Sequence, residues 1–391
     1  MTRMRGHYGG GSIDKSGTNS WRIRYRIDGK RYTKVVEGTK GEAQKELRRL
    51  LQAGDEGRHV AANKIKLSEW IDKWLSLKEP NVKARTYQRY ENFLKVHVAT
   101  APLGGLKLQK ITPSDIDAFY KTLQEKLAPR TLAVLHVALK SCFTTAIKKK
   151  LRSDNPSEDA ERPEVDEAEP IGATLDEAQL IQLVHDFRGT SLHGFVAVAC
   201  LTGMRRNEIL ALRWIDVNLD AASISVMRSV EETKKHGRRI MTPKTANSVR
   251  TFKIDDGLVA LLRSEREKHL RLVAGIPDNA DVDLSLVKLP ADALMFPAIG
   301  TDLTAIRGPT SISLMFKKRI RKVGTYPEAL RLHDLRGSHE TALLDRGVGL
   351  HVVAARCGHS PTMLLKSYAK RTKKSDEAAA NILGIMTAGG L

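Results

Sequence analysis

The chain has 391 residues, 41% of them hydrophobic, with a formal net charge of +20. That length suggests two or three domains, and the excess of positive charge asks for a polyanionic partner, usually nucleic acid. No apolar run approaches the roughly 20 residues of a membrane span, and the start, Met1 to Gly6, lacks the apolar core of a secretion signal. Cys142, Cys200 and Cys357 lie too far apart for a disulfide framework or zinc knuckle, so reduced, buried thiols in a cytosolic protein are expected.

Residues 1–64 hold 15 Lys/Arg against 7 Asp/Glu. Trp21, Ile23, Tyr25 and Ile27 alternate with Arg22, Arg24 and Arg26, a period of two that predicts a strand with one apolar and one arginine face. Asp28-Gly29 follows, the pair a type I′ hairpin turn prefers, and Arg31 to Val36 reads as the return strand. Thr39 to Leu51 is helical, with Ala43, Leu47, Leu50 and Leu51 placed to cover the sheet. A sheet carrying a row of arginines can enter a DNA groove. A solvated strand face is the alternative.

Gly54 to Lys64 reads as a linker. Leu67, Trp70, Ile71, Trp74 and Leu75 then fall at helical spacing. Thr86 to Val98 is a second helix, flanked and studded by Lys83, Arg85, Arg89 and Lys95. Thr112-Pro113 caps a third helix through Leu123, and Leu127 to Lys149 is a fourth. These helices predict an all-α domain whose aromatic residues are core and whose basic residues face DNA. The acidic, proline-containing run from Ser157 to Pro170 reads as an interdomain linker.

Thr174-Leu175-Asp176-Glu177 has the form of a capping box and opens the largest domain. Helices continue to about Leu212. Ser223–Val230, Arg238–Thr242 and Val249–Ile254 read as short strands, and helical patterns resume from Gly257, Pro309, His333, Val348 and Ser360. No G-x-x-x-x-G-K-[ST] loop is present, so nucleotide hydrolysis has no support.

Four stretches of this domain carry chemistry. In Thr202-Gly203-Met204-Arg205-Arg206-Asn207-Glu208, Arg205 lies in the first turn of a helix, where free N–H groups favour an anion. Glu208, three residues on, can hold it rigid. Taken alone, an ordinary surface ion pair accounts for the two. Lys244, in the loop Thr242-Pro243-Lys244-Thr245, can protonate a leaving alkoxide if cations lower its pKa. Most loop lysines are simply solvated. His333-x-x-Arg336 sets imidazole and guanidinium on one helix face, where an anion between them would relieve their repulsion. Gly358-His359-Ser360 precedes Tyr368. Of eight tyrosines only Tyr326 and Tyr368 lie beyond residue 120. A phenol with a pKa near 10 needs cations nearby to attack at neutral pH. Tyr368 has Lys366, Lys370 and Arg371 close in sequence, whereas Tyr326 sits before Pro327 in an expected loop.

The ordered set TGMRRNE, TPKTANSVR, HDLR, CGHS and SYAK resembles the tyrosine recombinase, or phage integrase, family, strongly over about residues 174–385. Residues 65–155 resemble that family's helical core-binding domain in pattern, and residues 1–60 the arm-binding domain of its heterobivalent members. The sequence departs from the family pattern at Gly337-Ser338, where His-Thr is frequent, and at Cys357, where leucine is common. The resemblance implies that Arg205 and Arg336 clamp the scissile phosphate and that Lys244 protonates the departing 5′-hydroxyl. It implies that His333 assists proton transfer, that His359 bonds a non-bridging oxygen, and that Tyr368 forms a 3′-phosphotyrosyl link.

The expected fold is mainly α with small β elements (α+β): a three-stranded sheet plus helix in an arm-type DNA-binding domain (1–60), a helical SAM-like core-binding domain (65–155), a linker (156–172) and a mostly α catalytic domain with a small antiparallel sheet (173–391). Arg22, Arg24, Arg26, Lys83, Arg85 and Arg89 are the expected DNA contacts. Transesterification conserves bond energy, so no metal, ATP or other cofactor is expected. The partners implied are duplex DNA at core-type and arm-type attachment sites, three further copies of the chain, a DNA-bending host factor and an excisionase, in a bacterial cytoplasm. The apolar stripe Ala378, Ala379, Ile382, Leu383 and Ile385 suits docking on a neighbouring protomer, or packing on its own domain. The remaining alternatives are a conjugative-transposon or resolvase-type recombinase, a type IB topoisomerase, and a DNA-binding protein without activity.

Overall fold

A computed structural model describes residues 11–56, 59–162, 164, 172–242 and 249–369. The chain divides into two units, residues 1–167 and 168–391.

The first unit begins with strands β1 (Ser12–Gly17), β2 (Ser20–Ile27) and β3 (Lys30–Glu37), an antiparallel sheet with β2 in the middle. The period of two is realised: Ile23 and Tyr25 are buried, while Arg22 and Arg26 are exposed. Asp28 and Gly29 both have positive φ, 49° and 75°, as a type I′ turn requires. Helix α1 (Lys40–Asp55) covers the apolar face with Ala43, Leu47 and Leu50. Thr39 caps it: its hydroxyl accepts from the Glu42 amide, and the Glu42 carboxylate accepts from the Thr39 amide.

The same unit holds a second apolar cluster, built by α2 (Leu67–Lys78), α3 (Ala84–Glu91) with its π-helical continuation (Asn92–Ala99), α4 (Pro102–Gly105), α5 (Pro113–Gln124) and α6 (Pro129–Lys148). Leu67, Trp70, Ile71, Trp74 and Leu75 of α2 all face inward, and Leu77 is left exposed. Each such side chain contributes roughly 1.5–3 kcal/mol by leaving water. The two indoles also find acceptors, Trp70 at the Cys142 carbonyl (3.2 Å) and Trp74 at the Thr145 hydroxyl (2.9 Å). Thr112 and Asp115 form the predicted cap of α5. The aromatic residues Trp70, Trp74, Phe119, Tyr120 and Phe143 are core.

The acidic stretch expected as linker from residue 156 starts inside this body. Pro156–Asp159 forms a turn of helix, α7, with Ser157 and Ala160 buried. The cause lies just upstream. Buried Arg152 donates to the carbonyls of Leu108 (2.6 Å) and Ile111 (3.0 Å), which ties the chain down beyond α6.

The second unit opens with α8 (Glu177–Asp186), α9 (His193–Thr202) and α10 (Arg206–Ile209). The cap of α8 is Asp176 with Gln179, two residues later than Thr174. Leu175 is buried and its amide donates to the Ser338 hydroxyl (2.9 Å), so the helix starts only beyond it.

Strands β4 (Val217–Asn218), β5 (Ser223–Val226), β6 (Ser229–Thr233), β7 (Gly237–Met241) and β8 (Arg250–Lys253) follow. The single strand expected over 223–230 is broken at Met227-Arg228. As a result β5 pairs with β4 and β8, while β6 turns away to pair with β7. Arg228 fixes the break by donating to both carboxylate oxygens of Asp216, at 2.7 and 2.9 Å. Helices α11 (Asp256–Ala274), α12 (Pro309–Val323), α13 (Asp334–Asp345), α14 (Leu350–Cys357) and α15 (Pro361–Ala369) complete the unit. Its core centres on α9, whose residues from Gly194 to Cys200 are all buried.

Candidate active site

Two helix C-termini build the site. Helix α9 ends at Gly203, in the left-handed region (φ 63°), and α14 ends at Gly358 (φ 66°). Helix C-terminal carbonyls lack partners within their helix and carry partial negative charge. Here they turn toward guanidiniums. Arg336 donates from Nη1 to the Gly203 carbonyl (2.7 Å) and from Nη2 to that of Cys357 (2.5 Å). Arg205 donates from Nη2 to the Gly358 carbonyl (2.9 Å). Glycine is required at 203 for a second reason: a Cβ there would lie 2.6 Å from His339 Cδ2.

Glu208 is the hinge of the Arg205 side. Its Oε1 accepts from Arg205 Nη1 (2.8 Å), and its Oε2 accepts from the Arg205 amide (3.0 Å) and from Arg250 Nη2 (2.8 Å). The first-turn amide expected to meet an anion is thus engaged by Glu208. Burial pushes the Glu208 carboxyl up, but Arg250 and Arg205 outweigh it and hold the pKa below the ordinary value. Arg250 had no distinguishing signal beyond standing six residues after Lys244. Its Nε donates to the Arg356 carbonyl (2.7 Å), which ties β8 to α14.

On the other side, Arg336 Nε lies 3.2 Å from His359 Nε2, and Glu340 Oε1 lies 3.1 Å from the former and 3.0 Å from the latter. Burial draws the Arg336 pKa down, and Arg205 nearby adds to this. Arg205, Arg250 and Arg336 against Glu208 and Glu340 leave one unit of positive charge, and Arg205 is about a third exposed (34%). The arrangement suits one partly accessible anion.

His333, at the N-cap of α13, is exposed. Partial withdrawal from water, then the charge of Arg336, lowers its pKa. It is therefore neutral at pH 7 and able to accept a proton. His339 is buried, bonded at Nδ1 to the Cys200 carbonyl (2.9 Å), with its pKa pushed down to about 4 by burial. It packs rather than titrates. Ser338 is also packing: its hydroxyl donates to the Asp334 carbonyl (2.9 Å).

Tyr368 is not against this cluster. Its hydroxyl donates to Asp345 Oδ1 (3.0 Å) at the far end of α13. Asp345 stands nine positions after Arg336 in the helix, roughly 13 Å along the axis. The other tyrosine of the unit, Tyr326, donates to Asp186 Oδ2 (2.7 Å), and burial and that carboxylate raise its pKa well above the ordinary phenol value. Lys244, Lys370, Arg371 and the stripe from Ala378 to Ile385 lie outside the described residues.

The structure thus gathers Arg205, Glu208, Arg336 and His359, sets His333 beside them, and leaves Tyr368 apart. Of the expected DNA contacts, Arg22, Arg26, Lys83, Arg85 and Arg89 are exposed. Arg24 pairs with Asp14 across the sheet (2.8 Å).

Residues 66–124 match the family model described as phage integrase, N-terminal SAM-like domain. A tyrosine recombinase XerC-like protein of Caldanaerobacter subterraneus subsp. tengcongensis is 25% identical over 88% of this chain and 90% of its own. An integrase of Streptomyces ambofaciens is 28% identical over 91% of this chain and 89% of its own. In fold, the Tn1549 transposon integrase, solved with transposon right end DNA, superposes with a TM-score of 0.66 at 20% identity, over 82% of this chain and 100% of its own. The lambda integrase tetramer on a Holliday junction does so with 0.56 at 15% identity, over 91% and 96%. In sequence and in fold the chain is similar to the tyrosine recombinases, the phage integrases among them.

Proposed function

We propose that this protein is an integrase, a site-specific recombinase that cuts and rejoins DNA to insert a phage or mobile-element genome. The observation that carries this is the convergence of Arg205 and Arg336, each aimed by helix-terminal carbonyls and leaving one net positive charge for a phosphodiester. Guanidiniums fixed in this way stabilise the charge of a pentacoordinate phosphorane better than that of the ground state. Tyr368 Oη attacks phosphorus, the bond to the 5′-oxygen breaks, and a 3′-phosphotyrosine forms. Neutral His333 takes the phenol proton, Lys244 gives one to the departing 5′-oxygen, and His359 bonds a non-bridging oxygen. Attack by a second 5′-hydroxyl reverses these steps on a new strand.

In this reading Tyr368 leaves Asp345 when DNA is bound, or reaches the phosphate of a neighbouring protomer. Four protomers suit a reaction that cuts four strands, and the lambda integrase tetramer supports that number. The arginine-faced sheet takes arm-type DNA, and the helical body with Lys83, Arg85 and Arg89 takes core-type DNA. A host bending factor and an excisionase join the two kinds of site. The work takes place in the bacterial cytoplasm. Likeness to the Tn1549 integrase favours a conjugative element as the second reading, with the same chemistry.

The test is a nicked suicide substrate carrying the attachment site. Wild type is expected to accumulate a covalent protein–DNA adduct and Tyr368→Phe none, with equal DNA binding. Adducts formed by the Phe variant would refute the assignment.

A further inference from the structure

Helix α13 carries a buried carboxylate that the mechanism above does not use. Glu340 is 3% exposed and stands one helical turn after Arg336, on the same face. Its Oε1 is 3.1 Å from Arg336 Nε and 3.0 Å from His359 Nε2. His359 arrives from the segment after α14, so one carboxylate oxygen joins groups 23 residues apart in sequence.

Arg336 Nε donates to His359 Nε2 at 3.2 Å, which joins the guanidinium directly to the imidazole. Glu340 Oε1, within ion-pair distance of both, supplies negative charge against the Arg336 guanidinium in a site largely withdrawn from water, where charge interactions are strong. Burial prevents Glu340 from turning outward, so this restraint persists when a phosphate replaces water on the open side.

We propose that Glu340 is a positioning residue: it fixes the Arg336 guanidinium and the His359 imidazole relative to one another, so that both are aimed at the phosphate before DNA arrives. The assignment rests on the integrase reading, because it presumes that Arg336 and His359 act on one phosphate. It asks nothing of Glu340 as a proton donor to the substrate.

The experiment measures single-turnover adduct formation on the suicide substrate by wild type, E340Q, H359A and the double variant, alongside DNA binding and thermal melting. E340Q keeps the volume and removes the charge. Carboxylates that orient metal-bound histidines typically contribute about 10–100-fold to activity, and by analogy a loss of about that size is expected in the cleavage rate with DNA binding unchanged. In the H359A background the same substitution is expected to cost less than about 3-fold, because the group it orients is gone. Cleavage by E340Q within about 2-fold of wild type overturns the proposal, as does a loss that multiplies in full with that of H359A. Loss of DNA binding in parallel with cleavage also overturns it, since that marks a merely structural carboxylate. If wild type itself forms no adduct while E340Q still lowers the melting temperature, the integrase reading fails and the Glu340 contact stands.

Discussion

Glu208 answers two guanidiniums and a backbone amide with two oxygens, and the Arg250 partner is as buried as Glu208 itself (7% and 5%). Removing one member of a buried ion pair costs about 3–5 kcal/mol, mostly because the other charge is stranded. Glu208→Gln is expected to lower stability toward the small end of that range, since the Arg205 side reaches solvent, and to lower the melting temperature. The pH dependence has a definite sign. The folded pKa is below that of the unfolded carboxyl, so the Glu208 contribution is complete above about 4.3 and is lost as pH falls through the folded value. Melting curves of wild type and variant should therefore converge in acid; a constant gap would count against it. His333 titrates the other way in effect. Its lowered pKa keeps it neutral, and able to accept a proton, to below the ordinary value of about 6.5. The acid limb of the cleavage profile should lie below that value and be absent in His333→Gln. Gly203→Ala imposes a left-handed alanine, which costs about 1–2 kcal/mol, and drives a Cβ into His339. It should also slow cleavage, because the carbonyl that aims Arg336 moves; unchanged adduct formation would separate the two roles.

Helix α13 is the element on which the site depends. It begins beside His333, carries Arg336 and Glu340 in its first two turns, and ends at Asp345, the acceptor for Tyr368. The phenol is thereby held at one end of a helix whose other end carries Arg336. Asp345→Ala removes that acceptor. Adduct formation is expected to rise severalfold with DNA binding unchanged, and a fall would show instead that the contact supports the reactive placement of Tyr368. The strands show how far local pattern carries. The β2–β3 hairpin is local: alternation sets its faces, and Asp28-Gly29 sets its register. The β5–β8 pairing joins segments some 25 residues apart, and whether 223–230 runs straight depends on Arg228 finding Asp216. No periodicity encodes that ion pair.

At the scale of the whole molecule, the +20 charge is distributed over separately cored parts. The sheet and α1 enclose Ile23, Tyr25, Ala43, Leu47 and Leu50 in a cluster of their own. Deleting residues 1–60 is therefore expected to leave the helical body folded, to abolish binding to arm-type DNA and to spare core-type DNA on footprinting. It should also flatten the salt dependence of total binding, because phosphate contacts are lost with the arginines; equal weakening at every site would contradict separate arm and core modules. What the sequence alone determined was what depends on neighbours along the chain: the helix and strand periods, the Thr112 cap, the type I′ turn, and a set of spaced motifs distinctive enough to carry the resemblance to the tyrosine recombinases. Only the tertiary structure decided which groups hold Arg205 and Arg336, because their partners are carbonyls of helix ends 133 and 153 residues away. It alone brought in Arg250 and Glu340, whose types are ordinary and whose meaning is their burial beside opposite charge. It also set Tyr368 on Asp345 rather than beside Arg205 and Arg336, a choice made by packing between α13 and α15 that no spacing of residues expresses.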